Sequence, residues 1–233
     1  MIEQMPILIT GVPRSGASMI GGAINMCGAF GGKMSKRGMF ENEMILEEIV
    51  KPYFNDIGAD PSGQYPLPVI DNISIPVSWR RRVEQIIIDE GYQKDRWMYK
   101  DFRLSLIWPV WNFAFPNAKW IIVRRRTGDI VQSCLKTGFM EAFDSKANQK
   151  AVEVDTEQDG WLWCVHQYEK RFVEMIEAGL NCKVIWPDRM VHGDYGQMYE
   201  TLEWVGLEWK SEVLDFIDGK LWHTRHKQIK TIK

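Results

Sequence analysis

The most specific chemistry in this sequence lies in one short stretch, Gly11-Val12-Pro13-Arg14-Ser15-Gly16-Ala17-Ser18. It follows an apolar run, Pro6 to Thr10, that reads as a buried strand. It opens a run of small and apolar residues, Ser15 to Cys27, that reads as a helix. A glycine-rich turn in that position can wrap backbone N–H groups around an anion, and the helix N-terminus adds its dipole. The spacing is that of a phosphate-binding loop, GxxxxGxS, but Ala17 stands where nucleotide hydrolases place a lysine. ATP γ-phosphate chemistry is therefore poorly supported. The cation inside the loop is Arg14, whose planar fork suits a tetrahedral oxyanion. The plainer alternative is a Gly/Pro turn that merely joins strand to helix. A second charged cluster, Arg124-Arg125-Arg126 with Asp129 close behind, reads by itself as a solvated face with one ion pair.

The elements around these residues alternate. Trp97–Lys100, Trp120–Arg124 and Lys183–Trp186 read as further strands. Helical patterns cover Asn42–Phe54, Val77–Glu90, Leu104–Phe115, Asp129–Thr137, Tyr195–Val205 and Ser211–Phe216. The longest runs from Thr156 to Ala178, with Trp161, Val165, Tyr168, Phe172 and Ile176 as its apolar stripe. Such alternation predicts an α/β fold of three layers, with a central parallel sheet flanked by helices. Ligands of such sheets bind beyond the carboxyl ends of the strands. Gly28 to Gly38 is a glycine-rich basic loop, and residues 56–76 form a long Pro- and Gly-bearing connection. Connections of that length are commonly functional or disordered.

The chain has 233 residues, 45% of them apolar and 26% charged, which is ordinary globular composition. That length suits a single domain spanning 1–233. The net charge of −2 disfavours a general nucleic-acid binder. The four cysteines form no CxxC pair and no zinc-spaced cluster, so they read as reduced thiols in a cytoplasmic protein. No apolar run approaches the roughly 18 residues of a membrane span. The N-terminus lacks the basic region of a signal peptide. Eleven tryptophans could line an aromatic site, although Trp more often packs cores and rims.

Taken together, GVPRSGAS resembles the 5′-phosphosulfate loop, GxPRSGTT, of sulfotransferases that use 3′-phosphoadenosine-5′-phosphosulfate (PAPS). Ala17 and Ser18 replace its two threonines, so one hydroxyl is lost. Phe115-Pro116-Asn117-Ala118-Lys119, the strand after it, Arg125, Asp129 and Ser133 resemble the family's 3′-phosphate segment, with Thr127-Gly128 in place of its proline turn. Lys100-Asp101-Phe102-Arg103-Leu104 is similar to its KDPRL strand end, and Gly38-Met39-Phe40-Glu41-Asn42 to the bacterial-type GxFE[ND] segment. Trp186–Met190 and Val205-Gly206-Leu207 are similar to its late segments, so the likeness runs from residue 6 to about 216.

The resemblance implies a P-loop NTPase-like sulfotransferase architecture and PAPS as sulfuryl donor, with no metal required. Pro13, Arg14, Ser15, Gly16, Ala17 and Ser18 would bind the phosphosulfate, and Arg125 and Ser133 the 3′-phosphate. Arg124 competes if the register slips by one. Arg14 and Lys100 would stabilise charge on the leaving oxygen. Glu41 would be the base that takes the acceptor's proton, with Asp101 as second choice. The basic tail 218–233 would fold over the 3′-phosphate. The acceptor, a small molecule or a carbohydrate, would lie under residues 56–76 and Gly28–Gly38, with Trp79, Trp108, Trp111, Tyr65 and Phe143 as candidate lining. The competing classes are a P-loop nucleotide or nucleoside kinase and a non-catalytic phosphonucleotide-binding relative.

Overall fold

The computed structural model describes residues 2, 5–35, 38–93 and 96–217, so the basic tail 218–233 lies outside the described residues. Four parallel strands form one sheet: β1 Ile7–Gly11, β2 Met98–Lys100, β3 Lys119–Val123 and β4 Cys182–Ile185. Their spatial order is β2-β1-β3-β4. All four fall where the apolar, β-branched runs place them.

Successive side chains along a strand point to opposite faces of the sheet. Leu8, Trp120 and Ile122 accordingly enter one hydrophobic cluster, while Ile7, Ile9, Ile121 and Val123 enter the other. Helices α1 (Ala17–Met26), α10 (Gly196–Val205) and α11 (Glu212–Phe216) supply the second cluster. The first is larger. It holds residues from α4 (Trp79–Asp89), α5 (Trp108–Ala114), α6 (Thr127–Cys134) and α8 (Glu157–Glu177). The expected α/β sheet with helices on both faces is what forms.

The remaining elements depart from the sequence reading in specific ways. The helix expected over Asn42–Phe54 runs as α2 (Glu43–Ile45), a π-helical turn (Leu46–Val50) and α3 (Lys51–Asp56). The start of the helix expected at Leu104 is a 3-10 turn, Phe102–Ile107, because the Asp101 carboxylate caps the Arg103 N–H at 2.9 Å. Two short helices escape the periodicity: α7 (Lys146–Ala151), whose buried residue is the polar Gln149, and α9 (Pro187–Val191), begun by proline. The stripe on α8 is Trp161, Val165, Tyr168, Phe172 and then Met175, whereas Ile176 is 51% exposed. The last step of three keeps the stripe on the core, and a step of four rotates off it.

All four cysteines are free thiols, and Cys27, Cys134 and Cys164 are buried. Burial pushes the Cys134 thiol up to about 12 and Cys182 to about 11. Thiolate, not thiol, is the nucleophile. Native protein at pH 8 is therefore expected to react slowly with Ellman's reagent, through half-buried Cys182, and guanidinium should release four equivalents. Rapid labelling of more than one thiol in the native state would contradict this packing.

Candidate active site

The connections from β1 leave the sheet toward β2 on one side, while β3 lies on the other. The connection from β3 runs the other way, to β4, so a topological switch point lies between β1 and β3, which stay paired up to Gly11 and Val123, and crevices open at such points in parallel sheets. A cleft of about 470 Å³ lies there, lined by Pro13, Arg14, Gly16, Ala17, Ser18, Glu41, Lys100 and Arg125 among others. Residues that are scattered along the sequence meet in it.

The loop after β1 has an unusual backbone. Arg14 (φ 70°) and Gly16 (φ 93°) both adopt left-handed conformations, and Gly16 caps α1. A left-handed non-glycine residue costs on the order of 1–3 kcal/mol and persists only where surroundings enforce it. Gly11 is required by space: a Cβ there would stand 2.6 Å from the Val123 carbonyl oxygen of the neighbouring strand. Ser15 is fully buried beneath the loop, away from the cleft wall, and its hydroxyl has no hydrogen-bond partner among the described residues. Its backbone N–H bonds to the Val12 carbonyl at 3.0 Å. Ser18, half-buried in the first turn of α1, does reach the cleft.

The two anion motifs are in direct contact. Arg14 Nε donates to Ser133 Oγ at 2.9 Å, and an Arg125 terminal nitrogen donates to the Arg14 carbonyl at 3.1 Å. Burial lowers the proton affinity of Arg125; Asp129 opposes this, and the like charge of Arg14 adds to it. Two guanidinium groups thus lie against one loop, with the carboxylates of Asp129 and Asp188 acting on Arg125. Arg124 and Arg125 differ in their partners. Arg124 forks onto Glu169 of α8, with contacts of 3.2 and 2.5 Å, and its guanidinium lies over Trp186. Arg126 is exposed. The arginine run is therefore not one solvated face: each member has its own environment.

At the end of β2, Lys100 Nζ bonds to Glu41 Oε1 at 2.8 Å, with both side chains under 10% exposed, at 3% and 8%. Gly21 of α1 makes room for the lysine stem, since a Cβ there would lie 3.2 Å from Lys100 Cγ. Burial raises the Glu41 carboxyl above the ordinary value of 4.5; Lys100 opposes the shift and Asp101 adds to it. Glu41 is held from behind by Asn42, whose side chain caps α2 through Ile45 N–H and donates to the Gly31 carbonyl and to Glu90. Phe40, just before, is again left-handed at φ 55°. Asp101 is differently placed. Its carboxylate accepts from Arg103 (2.8 Å) and from the Tyr99 hydroxyl (2.9 Å), and it is fully buried. A carboxylate so engaged holds the chain and does not face the cleft.

The expected aromatic lining is not what forms. Trp79, Trp111 and Phe143 are core residues of at most 1% exposure, and Tyr65 and Trp108 pack against that core. Large rings with continuous neighbours bury more apolar area inside than on a rim. The apolar walls are instead Val12, Met39, Phe102, Phe139 and Met140. Among the described residues, none of 28–35 and not Gly38 lines the cleft, whereas Met39 and Glu41, just after, do. From the long connection, Ser62 and Gln64 contribute. That connection is ordered by Asp60, which accepts from the N–H groups of Ser62, Gln64 and Tyr65, and by the Tyr168 hydroxyl on the Gly63 carbonyl. A loop rich in Pro, Gly, Asp and Ser could be read as a turn series, but its docking partners on α8 and at 139–142 lie some 75 or more residues away.

No protein-family model and no curated protein matches this sequence. Solved structures do. A sulfotransferase domain from the curacin biosynthetic pathway superposes with a TM-score of 0.58 at 12% identity, over 93% of this chain and 79% of that one. A sulfotransferase domain from the Synechococcus PCC 7002 olefin synthase does so with a TM-score of 0.52 at 11% identity, over 94% and 83%. The layered architecture that carries the cleft is shared along nearly the whole chain: it has the sulfotransferase fold.

Proposed function

We propose that this protein is a sulfotransferase that moves a sulfuryl group from PAPS to a hydroxyl or amine acceptor by in-line displacement. The observation that carries the reading is the contact between the two motifs, Arg14 to Ser133 and Arg125 to the Arg14 carbonyl, at the sheet's switch point. One nucleotide with a 5′-phosphosulfate and a 3′-phosphate has two anionic ends for such a linked pair. The donor set fits it: open backbone at Gly16 and Ala17, the Ser18 hydroxyl, and the cations Arg14, Lys100 and Arg125.

When bound, the donor supplies the sulfuryl group and a phosphate leaving group. The sulfur–oxygen bond to that phosphate breaks as the bond to the acceptor forms. Arg14 and Lys100 offset the charge that develops on the departing oxygen. Arg125 and Ser133 hold the 3′-phosphate, by charge-assisted and neutral hydrogen bonds respectively. Glu41 Oε accepts the acceptor's proton, and its raised proton affinity brings it nearer a working pH. Lys100 keeps it oriented.

The test is a calorimetric titration with the desulfated nucleotide, 3′-phosphoadenosine-5′-phosphate, on wild type, Arg14→Ala and Arg125→Ala. A hydrogen bond to a charged group contributes about 1.5–3 kcal/mol, so each variant should bind roughly 10- to 150-fold more weakly. AMP, which lacks the 3′-phosphate, should bind wild type weakly and be little affected by Arg125→Ala. Equal binding of ATP with magnesium would sink the reading in favour of a kinase.

A further inference from the structure

The polar groups of the cleft divide into two sets. Arg14, Lys100, Arg125 and Glu41 face the loop after β1. The opposite wall also has polar residues, Ser62, Gln64 and Arg103, each anchored by hydrogen bonds within the protein. Gln64 donates from Nε2 to the Phe139 carbonyl at 2.8 Å, and its Oε1 accepts from the N–H groups of Glu141 and Ala142 at 3.0 and 3.2 Å. The Ser62 hydroxyl donates a hydrogen bond to the Asp60 carboxylate. Arg103 spends Nε on the Pro61 carbonyl at 2.7 Å and a terminal nitrogen on Asp101 at 2.8 Å, and lays its guanidinium over the Phe102 ring at 4.3 Å. The apolar surface this wall offers a ligand is Met39, Phe102, Phe139 and Met140. Phe139 is 53% exposed, a large ring at the surface of the cleft whose centroid lies 5.8 Å from the Arg14 guanidinium carbon. Methionine thioethers adapt to the shape of an apolar guest.

We infer that the acceptor is an apolar alcohol, with a hydrocarbon body against Met39, Phe102, Phe139 and Met140 and its hydroxyl at Glu41. This rests on the sulfotransferase reading and narrows it. A carbohydrate would bring several hydroxyls to a wall that also carries Met39, Phe102, Phe139 and Met140, and each hydroxyl laid on those side chains would lose its water without a partner. A hydrocarbon body loses nothing there and leaves water. The product is an alkyl sulfate ester; the hydroxyl proton passes to Glu41 and the desulfated nucleotide departs.

Two measurements test this. The first is displacement of the apolar fluorophore N-phenyl-1-naphthylamine by 1-butanol, 1-hexanol, 1-octanol and methyl β-glucoside, without donor. The second is transfer from radiolabelled PAPS to the same four compounds. Burial of each methylene predicts a rise of about fourfold in affinity and in kcat/KM, with the glucoside inert in both. Met39→Gln and Phe139→Gln should each flatten the chain-length slope, and Met39→Gln should leave affinity for 3′-phosphoadenosine-5′-phosphate unchanged. A flat alcohol series in displacement, or transfer that prefers the glucoside, overturns the apolar acceptor even if sulfation occurs. Chain-length-dependent displacement without transfer supports the apolar wall and counts instead against the sulfotransferase reading.

Discussion

Lys100→Met is expected to lower kcat by about 10²- to 10³-fold, the usual loss when one preorganised group is removed from developing charge. Methionine keeps much of the stem beside Gly21 while removing the ammonium. The same change orphans the Glu41 carboxylate, which is 6% exposed as a residue. Breaking a buried pair by removing one partner costs about 3–5 kcal/mol, whereas removing both can be nearly neutral. At about 2–4 °C per kcal/mol for a chain of this size, Tm should fall by roughly 6–20 °C. The double variant Lys100→Met/Glu41→Gln should recover most of that Tm and none of the activity. Thermal melts beside single-turnover transfer separate the two effects. Recovery of activity together with Tm would show that Lys100 acts only by holding the fold.

Glu41→Gln is expected to lower kcat by about 10²- to 10⁴-fold, the range for loss of a positioned general base. Affinity for 3′-phosphoadenosine-5′-phosphate should stay within a few-fold of wild type, because the glutamine amide oxygen can still accept from Lys100. In wild type, kcat/KM should fall on the acid side with a midpoint above 4.5, since burial raises this carboxyl. That limb should vanish in the glutamine variant. Stability carries the same signature with a definite sign. The folded chain holds the Glu41 proton more tightly than the unfolded chain, so it binds more protons between 4.5 and the raised value. Stability is greatest below that window and falls as pH rises through it. Glu41→Gln should remove this slope. An unchanged acid limb in the variant would assign the base to another group.

The loop after β1 and the strands that frame it were legible in the sequence. Their signals are local: Pro6–Thr10 is a continuous apolar run because both faces of β1 are buried, and glycines sit where the turn needs them. Arg125 and Ser133 were legible as candidates only through a family pattern. Their convergence on Arg14 needs contacts across 111 and 119 residues. Arg124 pairs with Glu169 on α8, a partner that no spacing rule around residue 124 can supply. Likewise, Lys100 and Asp101 are adjacent in sequence, yet one faces Glu41 and the other Arg103 and Tyr99, because successive residues at a strand end point to opposite faces. The aromatic lining was misread for a related reason. Composition reports that Trp79, Trp111 and Phe143 are large and apolar, and only packing tells a core ring from one at the rim. By itself the sequence determined the period of the strands, the glycine-rich loop after β1 and the cationic and hydroxyl residue types within and near it. Tertiary structure alone decided which charges face the cleft, which are paired with each other, and which apolar side chains line it, since each depends on neighbours brought together from distant parts of the chain.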